Sequence, residues 1–502
     1  MSATGRWLLR DALVLRHAGA PAAREDIVIG DGIVLAVGPG LDAADWQVER
    51  VVDMSRRLVT PGLINTHYHS HDRWDRGRFS PLPLEIWMSL YNPPSVGRDW
   101  TPDEIYLRTL LGAMELVRGG STCVMDDAHL GLQLDPASID AVFRANDDLG
   151  IRADIGVAYA DRPGFESIPY FAEELPDHLK TRGQVAAHEP EAMLDVWAGL
   201  MQRWSGRVRA VVSVSGPQRC SDRFQQEAWD LAARFDRPVL THVLETRIQA
   251  LTGELFYGCS LVEHMERIGV LRPNSVLIHG VWMSDDDLDR VAQAGAGISH
   301  NPASNLKLGS GIAPVIRMRE RGIPVGLGTD NHNANDGCAM FEAVKWGTLL
   351  QTLREPEYQR WLDAASGLDM ATMGGAALMG KAGSLGRLSP GFAADFLVFD
   401  LAHDAFLPLN DATRQLVFAN AAGALRSAYV AGNPVLEDGR LTRIDEMAIR
   451  REIDDRLAHM LGKVEAGIPV GKEWEPHLVT AYRRAMAELS RRHGPACPCC
   501  RR

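Results

Sequence analysis

Eight short apolar runs, each followed by a segment of helical periodicity, constrain the fold of this 502-residue chain more than any other feature. The runs lie at residues 58–67, 121–126, 151–160, 208–216, 238–243, 275–281, 295–301 and 323–330. Segments such as PDEIYLRTLLGAMELVRGG, DRFQQEAWDLAARF and SDDDLDRVAQAG separate them, with apolar residues recurring every third or fourth position, and CAMFEAVKWGTLLQTL follows the eighth run. Strands joined repeatedly through helices run parallel, and eight such units close into a TIM-like (β/α)8 barrel of the α/β class. An open doubly wound sheet carries a glycine fingerprint after an early strand, and this chain has none. Thr101 with its following proline, Asp222 and Ser284 have the chemistry of helix caps.

Residues 1–58 and 386–445 are β-rich, punctuated by Gly30-Asp31-Gly32 and by prolines and asparagines. They are expected to pair as one small β-sandwich domain flanking a catalytic barrel at 59–385. C-terminal helices are expected over 446–492, and 493–502, which holds Cys497, Cys499 and Cys500, reads as a flexible tail. The connections 70–101 and 161–188 are longer than a barrel requires, and loops after barrel strands build the catalytic face.

Charge narrows the partners. Lys and Arg number 53 against 65 Asp and Glu, a net charge of −12, so a phosphate backbone is repelled and no nucleic acid is expected. Arg10, Asp11 and Arg16 interrupt the apolar residues of the N-terminus, and no segment has the length of a membrane span. The 7 cysteines do not form a disulfide framework, which fits a cytoplasmic protein.

The chemistry concentrates at the predicted strand ends. His67 and His69 flank Tyr68, and the period of a strand sends both imidazoles to one side. His242, His279 and Asp330 end the fifth, sixth and eighth strands, where barrel enzymes carry their catalytic groups. Neutral imidazoles with a carboxylate suit zinc or another borderline divalent ion. Each residue also has a structural reading, a histidine bonding a neighbouring loop or, for Asp330, a helix cap.

Five strings in order, PGLINTHYHSH, HVLET, IHG, SHNPASNLKLGSGIAP and GLGTDN, resemble the amidohydrolase superfamily over residues 1 to about 440. The match is to its mononuclear-metal branch of deaminases and triazine hydrolases, which includes methylthioadenosine and S-adenosylhomocysteine deaminases. The resemblance implies that His67, His69, His242 and Asp330 bind one metal ion, zinc or else Fe2+. It implies that Glu245 is a proton shuttle and His279 a water-orienting, oxyanion-stabilising histidine, and that the protein is a homodimer or larger homo-oligomer. SGPQRCS ends the fourth strand without a lysine, which argues against the branch whose carbamylated lysine bridges two metals.

A metal lowers the pKa of a bound water, and Asp330 can accept its proton, Glu245 can protonate the adjacent ring or amide nitrogen and His279 can stabilise the oxygen of the tetrahedral intermediate. The expected activity is hydrolysis of a non-peptide carbon–nitrogen bond, foremost removal of an amino group from a small aromatic or heteroaromatic molecule. Hydrolysis of an aryl amide, urea or carbon–halogen bond at the same site is the alternative. An inactive homologue would have lost ligands, and none is missing.

For the substrate, Trp74, Trp87 and Tyr91 of the first long loop either wall a flat ring or pack the loop onto the barrel. Gln218 and Arg219 either contact polar substrate edges or, for Arg219, pair with Asp222. His300 lines the pocket or bonds a loop, and His332 follows the eighth strand closely enough to face a substrate. The nucleoside deaminases that the chain resembles carry a ribose-gripping acid after the loop tryptophan. Tyr91-Asn92-Pro93-Pro94-Ser95-Val96 holds no carboxylate, which argues against adenosine-type substrates.

Overall fold

A computed structural model describes residues 5–91, 99–131, 134–184 and 189–494. All eight anticipated runs form parallel strands: β1 (Leu63–His69), β2 (Ser121–Ala128), β3 (Arg152–Tyr159), β4 (Val208–Val214), β5 (Val239–Val243), β6 (Ser275–His279), β7 (Gly297–His300) and β8 (Val325–Leu327). Each pairs with the next, and Leu327 of β8 pairs with Asn65 of β1, so the sheet closes into a barrel with helices between its strands. Cys123, Met125, Val211, Leu240, Val276 and Ile278 fill the interior with Leu378 and Met379. The alternate residues, among them Val124, Val212, Val239, Leu277 and Ile298, join the larger core beneath the helices. Strand period two therefore divides the barrel into two apolar layers. Inside the strands, Arg209 donates from Nε to Asp154 at 2.5 Å and from Nη2 to the Met379 carbonyl at 2.6 Å.

The run at 58–67 divides at Gly62. Arg57–Pro61 joins an outer sheet and Leu63–His69 enters the barrel; a Cβ at Gly62 would collide with Thr122. Arg57–Pro61 pairs antiparallel with Phe396–Asp400, which unites the two flanking segments in one nine-stranded sheet. This sheet curls on itself, Ile33 bridging to Ala393, around Trp7, Leu9, Ile27, Ile29, Val59, Phe396 and Tyr429.

The helical C-terminus is one continuous helix, Glu446–His493, passing through Pro469 and Pro476. It crosses helix α1 (Leu84–Tyr91) at Gly471, where a Cβ would lie 2.8 Å from the Ser89 carbonyl. Its Trp474, Leu478 and Ala481 pack on Phe165, Phe171, Leu175 and Leu179, so one helix holds both long loops over the barrel mouth. Thr101 and Ser284 cap their helices through capping boxes. The third cap is Ser221 rather than Asp222: its side chain accepts from the Phe224 N–H, while the Asp222 carboxylate meets His264 at 3.0 Å. Cys497, Cys499 and Cys500 lie outside the described residues. Among the described residues, no helix is long and apolar enough to cross a membrane.

Candidate active site

His67 and His69 end β1 with Tyr68 between them turned outward, its hydroxyl 2.9 Å from His332 Nε2. At the mouth, His67 Nε2 lies 3.2 Å and His69 Nε2 3.3 Å from Asp330 Oδ1. His242 Nδ1 donates to the Ser215 carbonyl at 2.9 Å, and His69 Nδ1 to the Asp127 carbonyl at 2.6 Å. Those bonds fix the tautomer and leave each Nε2 as a lone-pair donor. Candidate ligand atoms of His67, His69, His242 and Asp127 lie within 4.8 Å of one another, as do those of His67, His279 and Asp330.

Backbone strain delivers two of these groups. Leu277 faces the helices, and continued alternation would send His279 the same way, but φ of +76° turns it back into the mouth. Asp330 is likewise left-handed, with φ of +63°. Non-glycine residues held there cost about 1–3 kcal/mol each and cluster at functional sites.

The electrostatics call for a cation. Burial raises the Asp330 carboxyl, but His67 and the hydrogen bonds from His67 and His69 outweigh it and hold the group well below the usual carboxylate range. Burial alone would drive His69 neutral; the hydrogen bond to Asp330 and the charges of Asp127 and Asp330 push it up to about 10. His67 Nδ1, wholly buried, has no hydrogen-bond partner, and burial lowers the ring's pKa. His242 is lowered to about 4, chiefly by burial. A divalent ion would take the place of the His69 proton, so that the imidazoles meet it neutral beside an ionised carboxylate.

Glu245, 3% exposed, follows β5 in the same mouth, with Oε2 at 3.5 Å from His279 Nε2. Burial, helped by the charges of Asp330 and Glu85, raises its carboxyl well above the ordinary value, which favours its protonated form. Arg247 does not pair with it but lies over the Trp282 ring at 5.4 Å. His279 Nδ1 donates to Asn305 Oδ1 at 2.9 Å, which leaves Nε2 an acceptor 3.7 Å from Asp330 Oδ2.

His69, His242, Glu245, His279 and Asp330 share a cavity of about 360 Å³ with Trp87, Tyr91, Gln218 and Arg219. Trp87 and Tyr91 stack with centroids 4.6 Å apart. Arg219 makes no pair with Asp222. Three anticipated contacts belong elsewhere. Trp74 is buried in the core with Tyr68, packing its loop onto the barrel. His300 shares the phase of Ile298, lacks the left-handed turn that redirects His279, and is packed outward, 3.7 Å from where a Gly347 Cβ would stand. His332 bonds the outward Tyr68, away from the mouth.

Several cavity residues escaped the sequence reading, among them Asp127, Glu85, His71 and His129. Asp127 stands between two histidines, Oδ2 at 3.9 Å from His69 Nδ1 and 3.8 Å from His242 Nδ1, with Ser213 donating to Oδ1 at 2.5 Å. It shares the inward phase of Cys123 and Met125, a signal hidden by ending the strand at Asp126. Glu85, on α1, accepts from Thr246 Oγ1 at 2.5 Å. His71, hydrogen-bonded to Tyr91, and His129 complete one wall. No local pattern distinguishes those three from solvated loop residues. Asn92 to Val96 lie outside the described residues.

Residues 58–435 match the amidohydrolase family. The chain is 34% identical over 463 residues to a 5-methylthioadenosine/S-adenosylhomocysteine deaminase of Nitratidesulfovibrio vulgaris, covering 91% of this chain and 98% of the relative. It is 29% identical to a 5'-deoxyadenosine deaminase of Methanosarcina mazei, covering 88% and 94% respectively. Among solved structures, a zinc-bound adenosine deaminase of Xanthomonas campestris superposes with a TM-score of 0.78 at 24% identity, over 90% of this chain and 98% of that one.

Proposed function

Because the chain belongs to the amidohydrolase family, we propose that it is a metal-dependent aminohydrolase that exchanges the amino group of a small aromatic or heteroaromatic ring for oxygen, with release of ammonia. The observation that carries this reading is the meeting of Asp330, Glu245 and His279 with His69 and His242 in one cavity, with His67 Nε2 against Asp330. His67, His69, His242 and Asp330 would hold one divalent ion, and zinc suits that donor set, with Fe2+ the other borderline candidate. Bound there, the ion supplies the Lewis acidity that brings a water's pKa towards neutrality. The zinc bound to the Xanthomonas campestris adenosine deaminase agrees with this assignment.

The chain's own groups divide the proton work. His279 Nε2, an acceptor while Nδ1 donates to Asn305, orients the attacking water. Asp330 accepts that water's proton. Glu245 gives its proton to the ring nitrogen beside the attacked carbon, then as a carboxylate carries the hydroxyl proton of the tetrahedral centre to the departing nitrogen; ammonia leaves, and the proton held by Asp330 restores Glu245. Asp127 holds the rings of His69 and His242 from behind. Trp87 and Tyr91 offer flat faces to a planar substrate.

We place the enzyme in the cytoplasm, on the ground that Cys123, Cys220, Cys259 and Cys338 are all unbridged. The test is ammonia release by zinc-loaded protein across aminopurines, their methylthio- and deoxy-nucleosides, pterins, aminopyrimidines and aminotriazines. Ammonia from at least one class, abolished by a chelator, supports the reading. Release of an amine or halide without ammonia would replace it with the aryl amide, urea or halide reading.

A further inference from the structure

The cavity is polarised. Glu85, Glu245, Asp127 and Asp330 line it together with His69, His242 and His279, while Arg162 and Arg219 contribute two guanidinium-bearing residues to its lining. The two arginines are tied through their backbones, Arg162 N–H donating to the Arg219 carbonyl at 3.1 Å. Arg219 Nη2 lies against the loop after β3, 3.9 Å from where a Cβ on Gly164 would stand.

Neither arginine has a carboxylate within ion-pair distance among the described residues. Two other enclosed arginines do: Arg152 meets Asp395 at 2.9 Å and Arg209 meets Asp154 at 2.5 Å. Arg219 Nε is wholly enclosed and has no hydrogen-bond partner. Arg162 donates Nη1 to the neutral Tyr257 hydroxyl at 3.2 Å. Asp161, the neighbouring acid, is occupied by Ser221, whose N–H and hydroxyl donate to its two oxygens at 2.7 and 2.5 Å. Burial works against the Arg219 charge, with Cys220 and Asp127 acting the other way. A charge taken out of water without a partner is costly, so an unpaired arginine in a cavity favours an anionic ligand.

We propose that Arg219, flanked by Arg162, is a carboxylate-recognition subsite, so that the preferred substrate is a planar amine carrying an acidic substituent. A carboxylate matches the planar donor fork of one guanidinium. Trp87, Tyr91, Phe165 and Phe171 line the same cavity and provide apolar surface for the ring. This inference rests on the aminohydrolase reading for the word substrate, but the subsite can be tested without turnover.

The experiment takes amino-substituted pyrimidines, purines, triazines and pterins, each as a ring carboxylate and as the neutral carboxamide. Affinity for the zinc-loaded full chain is measured by calorimetry, and ammonia release is followed in parallel. The carboxylate of at least one pair should bind about 10- to 100-fold more tightly than its carboxamide. In Arg219→Gln, with zinc content and Tm checked, that ratio should fall to near one. Arg219→Lys should recover part of it, and Arg162→Gln should lower it by a smaller factor. Equal affinities throughout every pair, or a carboxylate preference that survives Arg219→Gln, would overturn the subsite. Absence of ammonia with the affinity ratio intact would count against the aminohydrolase reading and leave the subsite standing.

Discussion

Replacement of Glu245 by glutamine isolates the proton from everything else that this residue does. The side chain is 3% exposed and sits 3.5 Å from His279 Nε2 and 3.5 Å from Ser310 Oγ, so an amide of the same shape fits the space. The backbone N–H of residue 245 still donates to Gln249 Oε1 at 2.9 Å, and Gln249 N–H still donates to Thr246 Oγ1 at 3.3 Å, so the loop keeps its form. Glutamine cannot carry a proton to a ring nitrogen and on to the leaving group. Loss of a positioned general acid–base costs about 10²- to 10⁴-fold in rate, or about 3–5 kcal/mol in the barrier. The assay is kcat for ammonia release from a substrate found in the panel, with zinc per chain measured on the same sample. The expected variant retains its zinc and a KM within about threefold of the parent, with kcat reduced by the factor above. A variant keeping more than about a tenth of kcat would refute the shuttle assignment. One that loses zinc together with activity would show that Glu245 acts on the metal centre instead.

Other outcomes follow from the packing. Asp154→Ala strands the Arg209 charge against an apolar interior and should cost about 3–5 kcal/mol in urea unfolding; a loss below about 1 kcal/mol would show that solvent reaches the pair. Glu115 would be raised by burial, but the hydrogen bond from Arg76 and the charges of Arg73 and Arg76 hold it at about 2, against 4.5 for a free glutamate. Its stabilisation is therefore complete above the free value and disappears as pH falls towards 2, so Glu115→Gln should cost about 2 kcal/mol at pH 7, after allowance for partial exposure, and almost nothing near pH 2. Equal losses at both pH values would contradict the linkage. His300→Leu should leave kcat and KM within about twofold, since the ring packs outward with neither nitrogen hydrogen-bonded; a large kinetic change would place it in the cavity.

What could be read from the chain and what could not separate along physical lines. Barrel strands bury both faces and are spaced by amphipathic helices, so their number and order appear directly in hydrophobic periodicity. His67 and His69 share a phase along one strand, which local spacing reveals. Phase alone gives the wrong side for His279, which a left-handed backbone returns to the mouth, and the right one for His300, which lacks that turn. Trp74 and Trp87 sit in one loop with similar chemistry, yet one anchors the loop and the other lines the cavity. That choice depends on how the C-terminal helix presses on α1 at Gly471, a contact between residues almost four hundred positions apart. Asp127 and Glu85 escaped for a similar reason, since an acid in a strand or short helix acquires meaning only from the partners the fold brings to it. Ser221 capped the helix assigned to Asp222 because both residues are good caps and the backbone, one position apart, decides.

The central claim is that His67, His69, His242 and Asp330 hold one divalent ion on which hydrolysis depends. Stepwise addition of zinc to chelator-stripped full-length protein, with ammonia release recorded after each addition, tests it most directly. The account predicts activity that rises from background, levels off at about one zinc per chain, and is absent in His69→Ala at any stoichiometric loading. Full activity in the stripped protein, or a rise that continues unchanged in His69→Ala, would contradict it.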